Sequence, residues 1–102
     1  MATPFTPRAG ATVSITVTGS SQRVAIPDTQ QGVDIRIFNN DTQVVHINMG
    51  DVTVTAATTN LPIAPGAVEV LHFPNVAGAR YVAAIGTAAN SKNIYFTPGS
   101  GI

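Results

Sequence analysis

Apolar and polar residues alternate with a period of two over much of this chain. In the segment Thr12–Thr18, the residues Val13, Ile15 and Val17 fall on one face and hydroxyl side chains fall on the other. Successive side chains of a strand point to opposite faces, so this pattern predicts a half-buried strand of an antiparallel sheet.

Further short segments carry the same signal, with turn residues between them. The triplet Asn39–Asp41 is a strong turn signal, because Asn and Asp tolerate left-handed backbone and hydrogen-bond their own main chain. The predicted strands are 12–18, 22–26, 33–38, 44–49, 52–55, 67–73, 81–85 and 93–97. In two of them the predicted core residues are Val33, Ile35, Ile37, Val45, Ile47 and Met49. This spacing indicates an all-β fold, a single antiparallel β-sandwich of jelly-roll-like type with about eight short strands.

Two segments between residues 56 and 73 carry their own expectations. The segment 67–73 is apolar on both faces apart from Glu69 and His72, which is typical of a central strand that is covered on both sides. The stretch 56–66 contains two prolines and is predicted to be a loop.

The two ends differ in composition from the middle of the chain. Residues 1–10 form a Thr/Pro-rich extended arm with one large apolar side chain, Phe5, and residues 11–97 form the sandwich. Residues 98–102 are expected to be a flexible tail. In a lone monomer Phe5 would lack a pocket, so the arm either crosses a neighbouring subunit or is a disordered tail.

Charge is scarce in this sequence. Charged residues make up 10% of the chain, where an average soluble domain carries about 25%, and the net charge is +0. The chain has no Lys/Arg stripe, which argues against binding to nucleic acid or to an anionic membrane. A neutral polar surface loses little charge solvation when another protein covers it, so the composition favours a docking module.

Other sequence features bound the setting. The chain has no cysteine, which excludes disulfides and thiolate metal sites. The N-terminal residues lack the apolar core of a secretory signal, and no uncharged apolar run is long enough to span a bilayer. The expectation is a protein that is made in the cytoplasm.

Candidate chemistry is sparse. His46 and His72 occupy no recognisable metal-ligand spacing, and surface or interface histidines responding to pH near 6 are the simpler interpretation. The acidic residues are scattered, and no serine motif or phosphate-binding loop is present. The sequence therefore predicts no catalytic residue, no metal site and no cofactor, and hence no enzyme.

Partner-binding residues are easier to nominate. Phe38 is predicted to point away from the core beside Arg36, and an outward aromatic next to a guanidinium is typical of interface hot spots. The arm contributes Phe5 and Arg8 as further candidates.

The order of segments resembles a known group of viral proteins. It comprises the Thr/Pro arm, the segments Ser21–Pro27 and Val33–Asn40, the segment Pro62–Val70, and the ending Ile94–Ile102. This order resembles small accessory virion proteins of tailed bacteriophages, a class that includes capsid decoration (cement) proteins. The resemblance implies a homo-oligomer, with a trimer favoured, which binds the major capsid protein or another virion protein on the capsid exterior and stabilises the head.

Two other functions remain open from the sequence. The chain could be a neck, tail or fibre-attachment module of the virion. It could also be a ligand- or carbohydrate-binding sandwich. Sugar rings usually stack on exposed aromatic side chains, and this chain has no Trp and two tyrosines, Tyr81 and Tyr95, for that role.

Overall fold

The computed structural model describes residues 4–27, 34–73, 79–87 and 92–100. Within these ranges the regular structure is entirely β. The strands are β1 (Thr6–Pro7), β2 (Val13–Thr16), β3 (Gln22–Ala25), β4 (Asp34–Asn39), β5 (Val45–Gly50), β6 (Leu61–Ile63), β7 (Val68–His72), β8 (Tyr81–Ile85) and β9 (Asn93–Ser100). The all-β expectation is confirmed.

The strands form two antiparallel sheets. The first sheet has the order β2-β9-β4-β7, with β1 beside β2 on the same edge of β9, and the second has the order β3-β8-β5-β6. β2 pairs with β9, β3 with β8, β4 with β7 and β5 with β6. These paired strands lie symmetrically about the β5–β6 hairpin in chain order, and the two sheets form an antiparallel β-sandwich.

Alternating β-branched residues build the core between the sheets. Side chains of this kind fit a pleated surface that is buried on one face, which is why these segments form strands. Ile35 and Ile37 of β4 are fully buried, as are Val45 of β5 and Val82 of β8. The predicted inward faces of these strands are confirmed where the structure describes them, whereas Val33 lies outside the described residues.

The strand β7 differs from its predicted role as a doubly covered central strand. It pairs with β4 alone and forms an edge of the first sheet. Glu69 and Leu71 stand opposite the inward residues of β4, whereas Val68 and Val70 stand opposite outward ones. Glu69 is nevertheless exposed. A charged side chain on the inner side of an edge strand discourages pairing with another edge, so the charge that the pattern treated as an interruption marks the edge.

The segment after β5 was also predicted wrongly. Residues 52–55 form turn and coil instead of a strand, and a short strand, β6, lies within the predicted loop. Asp51 explains the turn, since its carboxylate accepts hydrogen bonds from both the backbone N–H and the hydroxyl of Thr53. Such local bonds compete with a sheet ladder.

Both ends of the chain reach further into the sandwich than the sequence indicated. The strand β9 continues through Ser100, and Thr6 and Pro7 of the arm pair with its last residues. Arg8 N–H donates to the carbonyl of Pro98 at 2.9 Å. In a strand the nitrogen and carbonyl of one residue point to the same side, so the missing donor of Pro98 faces the arm and leaves the β4–β9 ladder intact.

Candidate functional site: the outer face of the first sheet

The outer face of the first sheet is set by the strand β4. Its residues Ile35 and Ile37 point into the core, so Arg36 and Phe38 point away from it. Residues directly opposite one another on neighbouring strands point to the same face of a sheet. The pairing of β7, β9 and β2 therefore shows which of their residues also point away from the core. We call this surface the outer face; its residues are Thr12, Ser14, Thr16, Asp34, Arg36, Phe38, Val68, Val70, His72, Asn93, Tyr95, Thr97 and Gly99.

An apolar row crosses the middle of the outer face. Val68 lies directly opposite Phe38, and Phe38 lies directly opposite Tyr95. The two rings are nearly parallel, with an interplanar angle of 14° and centroids 6.2 Å apart. Both aromatic residues are partly buried, and Val68 is 48% exposed. Cross-strand neighbours of this kind present one continuous apolar strip.

Neutral hydrogen-bonding groups border this strip on the side of β2 and β9. The hydroxyl oxygens of Thr12 and Thr97 are 2.9 Å apart, and the hydroxyl of Thr16 donates to Oδ1 of Asn93 at 3.1 Å. The amide of Asn93 donates to the hydroxyl of Ser14 at 3.3 Å. These groups hold one another in place without any formal charge, and all can exchange partners with an incoming protein or with water.

Charged groups lie in the rows beside the apolar strip. Arg36 is exposed and stands between Val70 and Thr97 in the neighbouring register row. In the next row, Nδ1 of His72 lies 2.9 Å from Oδ1 of Asp34. The Asp34 side chain is 9% exposed and that of His72 is 59% exposed, so the histidine presents the pair to solvent.

The structure places three of the four predicted interface residues on or against this face. Phe38 and Arg36 belong to it directly. A β-carbon built on Gly99, which faces outward opposite Asp34, would lie 2.8 Å from Cζ of Phe5, so the Phe5 ring packs against the outer face of its own chain. Arg8 is exposed and is held through its backbone to β9.

The sequence pointed to Phe38 but not to the residues beside it. Val68 was assigned to a covered strand, and Tyr95 was considered only as a sugar platform. A signal for Tyr95 was present, since it alternates with Ile94 and Phe96, which are both fully buried. Its pairing with Phe38 depends on the order of strands, which the pattern of apolar residues does not encode.

The outer face of the second sheet has a different character. There Ala83 of β8 is fully buried beneath Val54 and Ala56, with Tyr81 and Ile85 packed alongside. Asn48 donates to the carbonyl of Thr55 at 3.0 Å and helps to hold this covering segment. Among the described residues, Val54 and Ala56 cover Ala83 on the outer side of the second sheet, whereas Val68 in the apolar strip of the first sheet is 48% exposed.

The two histidines lie on opposite sides of the sandwich. His72 is on the outer face, whereas His46 projects outward from the second sheet, between Pro62 and Ile85 in the register. Nδ1 of His46 is buried and has no hydrogen-bond partner among the described residues. No group of three or more possible metal ligands occurs in the described part of the chain. The described residues also contain no helix that is long and apolar enough to cross a membrane.

The Asn39–Asp41 turn lies at the end of β4 that is opposite to Asp34, and its side chains hold several backbone groups in place. The buried amide of Asn39 donates to the carbonyls of Gln43, Ile63 and Ala64 at 3.0, 2.9 and 3.2 Å. Its Oδ1 accepts the backbone N–H of Asp41 at 2.9 Å. The predicted turn role is confirmed, and the bonds tie the turn to β6.

A small cleft lies at the edge formed by β5 and β6. It has a volume of about 220 Å³ and is lined by three apolar and two amide side chains, Ile47, Met49, Leu61, Asn48 and Asn60. The cleft is smaller than a typical small-molecule site, which spans roughly 300–1,000 Å³. The outer face of the first sheet remains the stronger candidate.

Comparison with known proteins gives no relative from which a function could be transferred. No family model, curated protein or solved structure matches this chain.

Proposed function

We propose that this chain is a non-enzymatic structural protein of a virus particle, a bacteriophage capsid decoration protein that docks through the outer face of its first sheet. The observation that carries the proposal is the apolar row Val68–Phe38–Tyr95, which neutral hydroxyl and amide groups border on the side of β2 and β9. The resemblance in segment order supports the choice of a virion as the setting.

The composition of the outer face suits a protein interface. Cores of interfaces are enriched in aromatic residues and Arg and are depleted in other charged residues, while their rims are polar. Phe38, Tyr95 and Arg36 are adjacent here, and the hydroxyl ladder of β2 and β9 supplies a polar rim. The partner in this proposal is the major capsid protein, and the decoration protein acts as a homo-oligomer, with a trimer favoured.

The mechanism is one of added binding free energy. A decoration protein that contacts two neighbouring capsid subunits must lose its contacts with at least one of them before the subunits can separate. The free energy of those contacts is therefore added to the cost of separating the subunits. Each apolar side chain that is covered contributes roughly 25 cal/mol per Å² of buried apolar area. Among the residues of the outer face Arg36 is the one exposed formal charge, since Asp34 is buried, so docking loses little solvation of ions. The stabilised shell resists the internal pressure of packaged DNA.

A matched pair of substitutions tests the proposed face. Val68 and Val52 are similarly exposed, 48% and 51%, but Val68 lies on the outer face and Val52 lies in the segment after β5. Particles lacking the protein are mixed with the purified wild type, Val68→Asp or Val52→Asp and then sedimented. Docking through the outer face predicts that Val68→Asp lowers the bound fraction at least tenfold while Val52→Asp binds like the wild type.

A copy count tests the virion role itself. Virus particles that contain this chain are purified on a density gradient, and the ratio of the chain to the major capsid subunit is measured by quantitative mass spectrometry. A ratio near one, or a simple lattice fraction, supports decoration of the capsid. A few copies per particle would move the role to the neck, tail or fibre attachment, and absence from particles would overturn the proposal.

A further inference from the structure

The end of β9 forms an acceptor that fits the chain's own arm. Thr6 pairs with Ser100 and Pro7 pairs with Gly99, and Arg8 N–H donates to the Pro98 carbonyl. A β-carbon at Gly99 would collide with the carbonyl oxygen of Thr6 and with the ring of Phe5. Only glycine allows this approach, so the acceptor depends on a specific residue of β9 and is more than an open strand edge.

The arm lies outside the main core of the sandwich on which it rests. Its strand β1 has two residues, and between residues 4 and 10 only Phe5 is partly buried, the others being exposed. The main hydrophobic core contains none of these residues. Detaching the arm therefore exposes the Phe5 ring and the Gly99 backbone but leaves the core packing intact.

A turn between β1 and β2 returns the arm to its own β9. From Pro7 to Val13 the chain makes six residue steps, whereas their partners Gly99 and Phe96 are three steps apart. The excess forms a turn in which Ala11 N–H donates to the Arg8 carbonyl at 3.3 Å, and Gly10 has φ 74°. A β-carbon at Gly10 would meet no atom within 4 Å, so Gly10 itself is not packed against the sandwich.

We propose that the arm exchanges between copies of this chain, so that residues 4–8 of one copy pair with the end of β9 in a second copy. The same contacts form in both arrangements, which is the condition for exchanging an identical element between protomers. Each copy has one arm and one acceptor, and exchange closes into a two-fold dimer or a ring. Pro4 and Pro7 keep a released arm extended, which limits the entropy lost when it docks again.

Concentration decides which arrangement prevails. A short tether gives the chain's own arm an effective concentration on the order of millimolar, so isolated molecules in dilute solution keep the arm on their own β9. Exchange becomes competitive where copies are held side by side at that density. This inference does not depend on which partner the outer face binds.

The absence of cysteine from the sequence permits a clean test. The variants Thr6→Cys and Ser100→Cys, one of them isotope-labelled, are mixed at about 1 mM protein, matching the effective concentration of a tethered arm, in a thiol–disulfide buffer. Exchange predicts a disulfide-linked heterodimer joining positions 6 and 100, identified by peptide mass spectrometry. The double variant Thr6→Cys/Ser100→Cys confirms that these paired positions can form the bond within one chain.

Collision alone is measured by replacing either partner with Gly19→Cys, an exposed position in the turn before β3. Exchange predicts at least a fivefold excess of the 6–100 heterodimer over this control. Equal yields would overturn the proposal, whatever the particle-binding assay of the outer face shows.

Two more variants separate exchange from a simple failure of the arm to detach. Gly10→Pro cannot adopt φ 74°, so it opens the turn and is expected to raise the heterodimer yield several-fold. Gly99→Ala, added to the Ser100→Cys chain, blocks the acceptor and is expected to remove the excess. A Gly10→Pro chain that forms no more heterodimer than the Gly19→Cys control would contradict arm exchange directly.

Discussion

His72 Nδ1 lies 2.9 Å from Asp34 Oδ1 and joins the end of the edge strand β7 to β4. The aspartate is almost completely buried, and the histidine is mostly exposed. A buried carboxylate requires hydrogen-bond donors, because its solvation by water has been lost. His72 supplies one of them, so it fixes the end of an edge strand as well as presenting a polar group on the outer face.

We expect His72→Ala to lower the free energy of unfolding by about 0.5–1.5 kcal/mol, the usual range for one net hydrogen bond. His72→Asn keeps an N–H donor near the position of Nδ1 and should retain most of that stability. Urea denaturation of both variants measures the difference. Equal losses in the two would show that the imidazole ring, and not the hydrogen bond to Asp34, stabilises the strand end.

The close packing of the arm gives a second prediction. Gly99→Ala places a methyl group against the Thr6 carbonyl and the Phe5 ring, so the arm must move away. We expect hydrogen exchange of the Arg8 amide, which donates to Pro98, to accelerate, and stability to fall by about 1–3 kcal/mol, as in other overpacked sites.

Gly19→Ala is the matched control for this substitution. No atom lies within 4 Å of a β-carbon built on Gly19, so its effect on stability should stay within about 0.5 kcal/mol. Unchanged exchange at Arg8 in the Gly99→Ala variant would show that the arm does not rest on β9 in solution.

The period of apolar residues was sufficient to predict most of the sandwich. Ile15, Ile37 and Ile47 were each assigned to an inward face and each is buried. Burial on one face is a local requirement, since it depends only on alternation within a single strand. The fold class and the inward faces could therefore be read from short segments.

The order of strands in each sheet depends on contacts between distant segments, so it could not be predicted from alternation within single strands. The apolar stretch that contains Val68 is compatible with a central strand covered on both faces. It is equally compatible with an edge strand whose outward side chains are apolar, which is what the structure shows. Pro98 indicated a flexible tail, but the residue sits in β9 because its missing donor faces the arm. Of the residues that define the outer face, only Arg36 and Phe38 were predicted to bind a partner, and Phe5, also predicted, packs against it. The other residues of the face depend on which strands are neighbours.

The buried amide of Asn39 gives a third prediction. It donates to three backbone carbonyls and accepts one N–H, and its side chain is completely buried. Asn39→Ala removes all four bonds at once, and we expect it to lower the free energy of unfolding by about 3 kcal/mol or more, given about 1–3 kcal/mol for each buried group left without a partner.

Asn39→Asp distinguishes hydrogen bonding from packing at this site. The carboxylate has nearly the same shape as the amide, but the oxygen that replaces Nδ2 would face the carbonyl oxygens of Gln43, Ile63 and Ala64. We therefore expect Asn39→Asp to be at least as destabilising as Asn39→Ala in urea denaturation. Near-wild-type stability of the aspartate variant would mean that volume, not the donated bonds, determines the fit.

The turn that replaces the predicted strand at residues 52–55 makes a prediction about pH. The hydroxyl and then the backbone N–H of Thr53 donate to Asp51 and hold the pKa of its carboxyl below the usual value. A lowered pKa in the folded state means that these bonds stabilise the fold at pH values above the pKa of the unfolded chain. Their contribution disappears as pH falls through the lowered value.

Thr53→Val removes the hydroxyl, so the pKa of Asp51 should rise towards its usual value while the backbone bond keeps part of the shift. Carbon-detected NMR titration of the Asp51 carboxyl measures this directly. Thr55→Val is the matched control, because Thr55 belongs to the same segment and its exposed side chain does not bond Asp51. If both variants leave the Asp51 titration unchanged, the Thr53 hydroxyl does not cap this turn in solution, and the competition that displaced the predicted strand must come from the packing of Val54 and Ala56 on Ala83 instead.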